Sequence, residues 1–246
     1  SPYDLSKGRI IYRQGSWDGE DRLDYWLEMR GKAESHGLQL RNVGTKTWEE
    51  ICLDHPDRDE KVAAWCTMLR NLGAAGIPTL GYTFQPGGYF RTTPTRGRGD
   101  TRYSSFDYDE LVENPQDRPA KWIAEDWLRE NLDRFLEDVL PVAEAAGVVM
   151  ALHPDDPPIP EPLGVVPRIV SSLQQYRGIF ERVPSDHHAM LFCQGCVAEM
   201  GEVVPSAIRE IGSLGKIAYV HFRNIRGTPG RFEEVFLDEG DQDMRE

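Results

Sequence analysis

An α/β domain of parallel strands joined by helices is the fold class that the sequence predicts, and three observations predict it. The chain's 246 residues suit one large barrel or doubly wound sheet, with length enough to bury a single core. Short apolar runs alternate with longer amphipathic ones, the order that parallel strands and crossover helices require. No repeat, low-complexity tract or interdomain linker interrupts that alternation, so residues 1–246 are read as one domain.

The elements follow in order. Strands are expected at "RIIYRQ" (about 9–14), "GLQLRNV" (37–43), "IPTLGYTF" (77–84), "VVMALH" (148–153), "AMLFC" (189–193) and "IAYVHFR" (217–223). In "DEKVAAWCTMLRNLGAAG", Val62, Trp65, Leu69 and Leu72 share one helical face, and the closing glycines suit a helix C-terminus. "WIAEDWLRENLDRFLEDVLPVAEAAG" is a longer helix in which Pro141 predicts a kink or break. "VPRIVSSLQQYRGIFERV" reads as a third helix and "VPSAIREIGSLG" as a weaker fourth. Residues 85–117, rich in glycine, arginine and aromatics, exceed an ordinary strand-to-helix connection and are expected to serve function.

Composition narrows the partners. With 41 acidic and 28 basic residues the formal charge is −13, which argues against a general affinity for nucleic-acid phosphates. An anionic ligand would then need arginines or a metal to reverse the field locally. Four cysteines are few for this length, and no apolar run approaches the roughly 20 residues of a membrane span. The opening "SPYDLSKGRIIYRQ" lacks an uninterrupted apolar core, so no signal peptide is expected in the chain as given. These features predict a cytoplasmic protein that partners neither nucleic acid nor membrane, with a homo-oligomeric state left open.

Chemistry concentrates at strand ends. "VVMALH" stops on His153 and runs into "PDDPPIP", whose prolines stiffen the departing loop. "AMLFC" ends on Cys193, and "IAYVHFR" carries His221 near its end. Carboxyl ends of parallel strands are where barrels and open α/β sheets place their sites. Two imidazoles and a thiolate, joined by a carboxylate from "DEGDQDM", where Asp238, Asp241 and Asp243 are the candidates, would suit a divalent transition ion.

Each residue also has a plainer reading. A lone strand-end histidine is more often a hydrogen-bonded structural residue, and a lone apolar-flanked cysteine more often buried filler. Cys193 and Cys196 form a C-x-x-C, which fits a redox pair or half of a zinc site; there is no second C-x-x-C, and nearly two hundred residues precede this one. Asp155 and Asp156 fit a helix cap, Arg223 and Arg226 fit surface charges, and the acidic C-terminal run fits a solvated tail. Cys52, Cys66, His36 and His55 read as structural, and the His187–His188 pair precedes a strand at its amino end.

Four stretches together, "LGYTFQPGGYFRTTPTRGRG", "HPDDPPIPEPLGVVPRIV", "LFCQGCVAEMG" and "VHFRNIRG" with "FEEVFLDEGDQDM", resemble successive motifs of the mannonate dehydratase family, in order, from about residue 37 onward. The resemblance implies a (β/α)8 TIM barrel like that of xylose isomerases and a hydro-lyase that converts D-mannonate to 2-keto-3-deoxy-D-gluconate. It also implies one bound Mn2+, with Fe2+, Co2+ or Mg2+ as alternatives, held by His153, Cys193, His221 and Asp243. About six strands are legible where the barrel has eight, so the barrel is expected to be incomplete at both ends in the chain as given.

The residue types fit that chemistry. Taking the proton beside a carboxylate generates an enediolate-like species whose negative charge calls for a cation, with an acid and a base for the departing hydroxyl and the C2 proton. Arg223, two residues past His221, is the catalytic candidate. Asp155 and Asp156 are placed to orient ligands, and Tyr82, Tyr89, Arg91 and Arg96 are candidates for holding sugar hydroxyls and carboxylate. A metal-dependent sugar isomerase or epimerase on the same barrel is the alternative enzyme, and a sugar-acid-binding barrel without turnover the alternative outside catalysis.

Overall fold

Six parallel strands in strictly sequential order form the main sheet of the computed structural model, which describes residues 10–14, 22–114 and 122–245. Along the chain run β1 (Ile10–Gln14), α1 (Leu23–Ser35), β2 (Gln39–Lys46), α2 (Glu49–Cys52), α3 (Arg58–Ala74) and β3 (Thr79–Thr83). The short strands β4 (Thr95–Arg96), β5 (Arg102–Tyr103) and β6 (Ser105–Asp107) follow, with α4 (Tyr108–Glu113) and α5 (Glu125–Ala146). The chain continues through β7 (Val149–Leu152), α6 (Leu173–Arg182), β8 (His188–Cys193), α7 (Gln194–Glu199), α8 (Val204–Ser213), β9 (Ile217–His221), β10 (Asn224–Thr228) and β11 (Arg231–Val235).

The order β1-β2-β3-β7-β8-β9 is that of a curled barrel wall, open among the described residues between β9 and β1. Each strand-to-strand step crosses through helical chain on the outside, as parallel pairing demands. All six strands expected from the sequence are present. The reading of an absent signal peptide rests largely on residues 1–9, which lie outside the described residues, as do the last three residues of the stretch 85–117. No helix among the described residues is long and apolar enough to cross a membrane.

The core lies between sheet and helices. Trp65 of α3 meets Phe135 of α5 edge-on at 5.2 Å, and Tyr82 of β3 packs against both. On α5, Leu128, Leu132, Phe135, Leu136, Val139 and Leu140 are buried at helical spacing, each contributing roughly 1.5–3 kcal/mol by leaving water. At the end of α3, Gly76 adopts φ 71°, a left-handed conformation that lets Ile77 N–H reach back to Leu72 O at 2.9 Å and closes the helix.

Two local expectations need correction. Pro141 does not break α5, which continues through it; Pro141 and Glu137, whose carbonyl loses its donor, are both on the exposed side, where water can replace the bond. The helix expected from Val166 starts only at Leu173, because the 163–172 segment folds back as a loop and Ser172 caps the helix by accepting from Gln175 N–H at 3.2 Å. The long 85–117 stretch carries elements of its own: β4 and β5 form a hairpin, and β6 pairs antiparallel with β11, which pairs with β10. That small sheet covers the carboxyl ends of the main strands.

Candidate active site

Strand register brings the candidate donors together. Cys193 and His221 are direct partners across the β8–β9 ladder, and His153, one residue past β7, extends that strand by donating its N–H to Tyr82 O at 2.8 Å. Their ligand atoms all lie within 4.8 Å of one another. His153 Nδ1 is 2.7 Å from Pro154 O, and since a carbonyl only accepts, that nitrogen carries the proton and Nε2 is left as the ligating atom. Tyr89 stands edge-on to His153 at 6.5 Å.

The three donors tune one another. Cys193 is held well below its usual pKa by the hydrogen bond with Cys196, by the Arg223 charge and by both histidines, against the opposing effect of burial. Burial depresses His153, yet the Cys193 sulfur and Asp156 outweigh it and leave its pKa raised. Both cysteines of the C-x-x-C are free and buried, so the pair forms no disulfide. A thiolate and two imidazoles converging on one point fit a divalent ion with an open position for substrate.

A cavity of about 320 Å³ opens beside these donors, within the range of small-molecule sites. Thr45, Gly81, Thr83, Tyr89, Arg91, Ser104, His153, Asp156, Leu191, His221, Arg223 and Glu234 border it. Arg223 Nη1 faces Asp156 at 3.4 Å and Glu234 at 3.1 Å; Arg91 reaches Asp156 at 2.8 Å and Glu234 at 2.5 Å. Burial works against the Asp156 carboxylate, but Arg223, Arg91 and His153 hold its pKa below the usual range. Asp155 turns away instead: its carboxylate accepts Val170 N–H at 2.7 Å and lies 4.0 Å from the buried Arg168. Neither aspartate caps a helix.

Two candidates lie elsewhere, and a third borders the cavity without turning its side chain into it. Asp243 is exposed, accepts Arg245 N–H at 3.0 Å, and lines a separate groove with Val220, whose side chain leaves β9 on the face opposite His221. The structure therefore does not bring it to the donor cluster, because the chain after β11 passes outside the sheet. Tyr82 borders the cavity, but its ring points into the sheet–helix layer, where its hydroxyl and His188 Nε2 share a 2.8 Å hydrogen bond. Arg96 sits in the β4–β5 hairpin, 79% exposed and paired with Asp100 at 2.6 Å, away from the cavity. Tyr89, Arg91 and Arg223 do border it.

Glu234 and Glu199 escaped the sequence reading. Glu234 arrives through the β10–β11 hairpin, whose "TPG" turn is a local signal, but its approach to Arg91 depends on a pairing more than a hundred residues distant. Glu199 was findable: it is the one charged residue in the run "AMLFCQGCVAEM". It is fully buried and bonds Arg223 Nη2 at 2.8 Å.

Fold and donor set define a protein of the TIM-barrel fold, with residues able to hold a divalent ion. Solved structures agree: the chain superposes on D-psicose 3-epimerase from Clostridium cellulolyticum H10 with a TM-score of 0.59 at 16% identity, over 89% of this chain and 75% of that one. The match to the mannonate dehydratase from Streptococcus suis serotype 2 is far closer, with a TM-score of 0.84 at 27% identity over 97% of this chain and 71% of that one. Mannonate dehydratase 2 of Halalkalibacterium halodurans is 28% identical over 94% of this chain and 72% of its own length. The profile of the D-mannonate dehydratase (UxuA) family matches residues 114–246, and the chain belongs to that family.

Proposed function

We propose that this chain is a metal-dependent hydro-lyase that removes water from D-mannonate to give 2-keto-3-deoxy-D-gluconate, working as a single barrel domain. The observation that carries the reading is the convergence of His153, Cys193 and His221 on one end of a cavity of sugar-acid size, within a chain of the mannonate dehydratase family. These three residues would hold the ion, leaving its fourth position to substrate or water; a thiolate with two imidazoles suits Mn2+ or another first-row ion better than Mg2+.

The electrostatics of the cavity support metal dependence. Its two cations, Arg91 and Arg223, already face Asp156 and Glu234, and Glu199 adds a further buried acid behind Arg223. An anionic sugar acid entering that balance gains little from the side chains alone. When bound, the ion supplies the positive charge that stabilises the carboxylate end of the substrate as the neighbouring proton leaves. Arg223, fixed at the cavity wall by its acidic partners, adds an oriented positive group there, with no reorganisation needed during the reaction. Tyr89 and Arg91 come from the segment after β3 and lie where they can orient sugar hydroxyls.

Two variants test this. Cys193→Ala should lose bound Mn2+ and with it formation of the 2-keto-3-deoxy acid, because one of three donors is gone. Arg223→Ala should keep the metal while kcat falls by roughly 10²–10³, the range for removing one preorganised charge-stabilising group. Metal content by mass spectrometry and product by periodate–thiobarbiturate assay give the two readouts. Full turnover in Cys193→Ala would remove the metal assignment. Absence of turnover in the unmutated chain with metal-dependent D-mannonate binding would point to a binding protein instead.

A further inference from the structure

Arg223 borders the cavity, whereas Gly195, Cys196 and Glu199 of α7 lie behind it and do not. All three touch the same guanidinium. A Cβ at Gly195 would lie 2.2 Å from Arg223 Nε, so the side chain passes directly over the bare backbone of the helix. Nη2 then donates to Cys196 Sγ at 3.1 Å and to Glu199 Oε1 at 2.8 Å. Glu199 has no exposed surface, and its second oxygen, Oε2, has no hydrogen-bond partner.

A buried carboxylate satisfied at only one oxygen is costly, and an apolar side chain of similar volume would generally pack there as well or better. Its presence asks for a role, and its hydrogen bond to Arg223 names one. The contacts of Arg223 on the cavity side, Asp156 and Glu234, belong to the walls that substrate meets, while Glu199 and Cys196 grip it from the rear. We propose that the "GCVAE" segment of α7 is a cradle for Arg223, in which Glu199 is a positioning residue that holds the guanidinium at the angle needed for turnover. The same segment thereby explains the C-x-x-C: the first cysteine faces the donor cluster and the second faces the arginine. The inference rests on the catalytic reading of Arg223.

The test is a double-mutant cycle on the metal-loaded chain. Glu199→Leu should lower kcat for D-mannonate by between about 10- and 100-fold, the usual effect of removing an outer partner, with KM and bound Mn2+ little changed. Glu199→Gln, which keeps an acceptor oxygen, should recover part of that loss. In the Arg223→Ala background the leucine variant should cost nothing further. Wild-type kcat in Glu199→Leu, or an equal loss in both backgrounds, overturns the cradle. If Glu199→Leu does not fold, Gly195→Ala takes its place: its Cβ should displace the arginine and give the same kcat loss with metal retained, and wild-type kcat there overturns the proposal. Should Arg223→Ala turn over at the wild-type rate, the catalytic reading is what fails; the cradle is then decided by the crystal structure of Glu199→Gln or Gly195→Ala, where a displaced guanidinium upholds it and an unmoved one overturns it.

Discussion

His188 shows what burial does to one residue. Fully buried at the start of β8, it is pushed down to about 3 by desolvation and then by the nearby Lys216. The folded chain therefore refuses a proton that the unfolded chain accepts below its ordinary pKa of about 6.5. Stability from this residue falls as pH drops from about 6.5 towards 3, by about 1.4 kcal/mol per pH unit. His188→Gln should flatten the loss of urea-denaturation stability between about pH 6 and pH 4 by that slope; identical slopes would contradict it. The partner of His188 gives a second prediction. Tyr82→Phe leaves a buried ring nitrogen without its 2.8 Å contact and should cost about 1–3 kcal/mol, with KM for D-mannonate unchanged. A raised KM with unaltered stability would restore Tyr82 to the substrate site.

At the scale of elements, the segment from His153 to Ser172 replaces an expected helical start with a clamped loop. Asp155 closes it twice, its N–H donating to Val170 O at 2.9 Å and its carboxylate accepting from Val170 N–H at 2.7 Å. Arg168, buried beside Asp155, donates to Pro157 O at 2.7 Å and ties the loop's two limbs. This clamp fixes the backbone on either side of Asp156, which faces the cavity. Asp155→Ala should therefore cost about 3–5 kcal/mol, as when one partner of a buried ion pair is removed, and should expose residues 157–169 to proteolysis. An unchanged urea midpoint would show that the prolines alone hold the loop. Periodicity suggested a helix from Val166 because Val166, Ile169 and Val170 are all buried, but burial in a loop and burial on a helix face leave similar apolar spacing.

For the molecule as a whole, the donor cluster joins β7, β8 and β9, so a bound ion would staple three adjacent strands. Because folding creates the site, Mn2+ at about 100 times its Kd should stabilise the folded chain by about 2.7 kcal/mol. Thermal melting with Mn2+ against chelator reads this directly, and Cys193→Ala should abolish the shift. A shift that survives in that variant would place the ion elsewhere. The measurement does not depend on turnover, and so separates metal binding from catalysis.

The sequence by itself determined the strands, their parallel order and three of the metal-type donors. Those signals are local: an apolar run, a helical face, a histidine or cysteine where a strand stops. Tertiary structure decided the rest. Register set Cys193 opposite His221, and the curl of the wall brought His153 to both. The path of the chain after β11 left Asp243 outside the sheet, and the two-residue alternation of β3 turned Tyr82 into the core while Gly81 and Thr83 face the cavity. Glu234 reached Arg91 through pairing of strands far apart in the chain. A one-dimensional pattern records which residues are apolar or charged, but the face a side chain takes and the distant partner it meets are fixed only when strands pair and the wall curves.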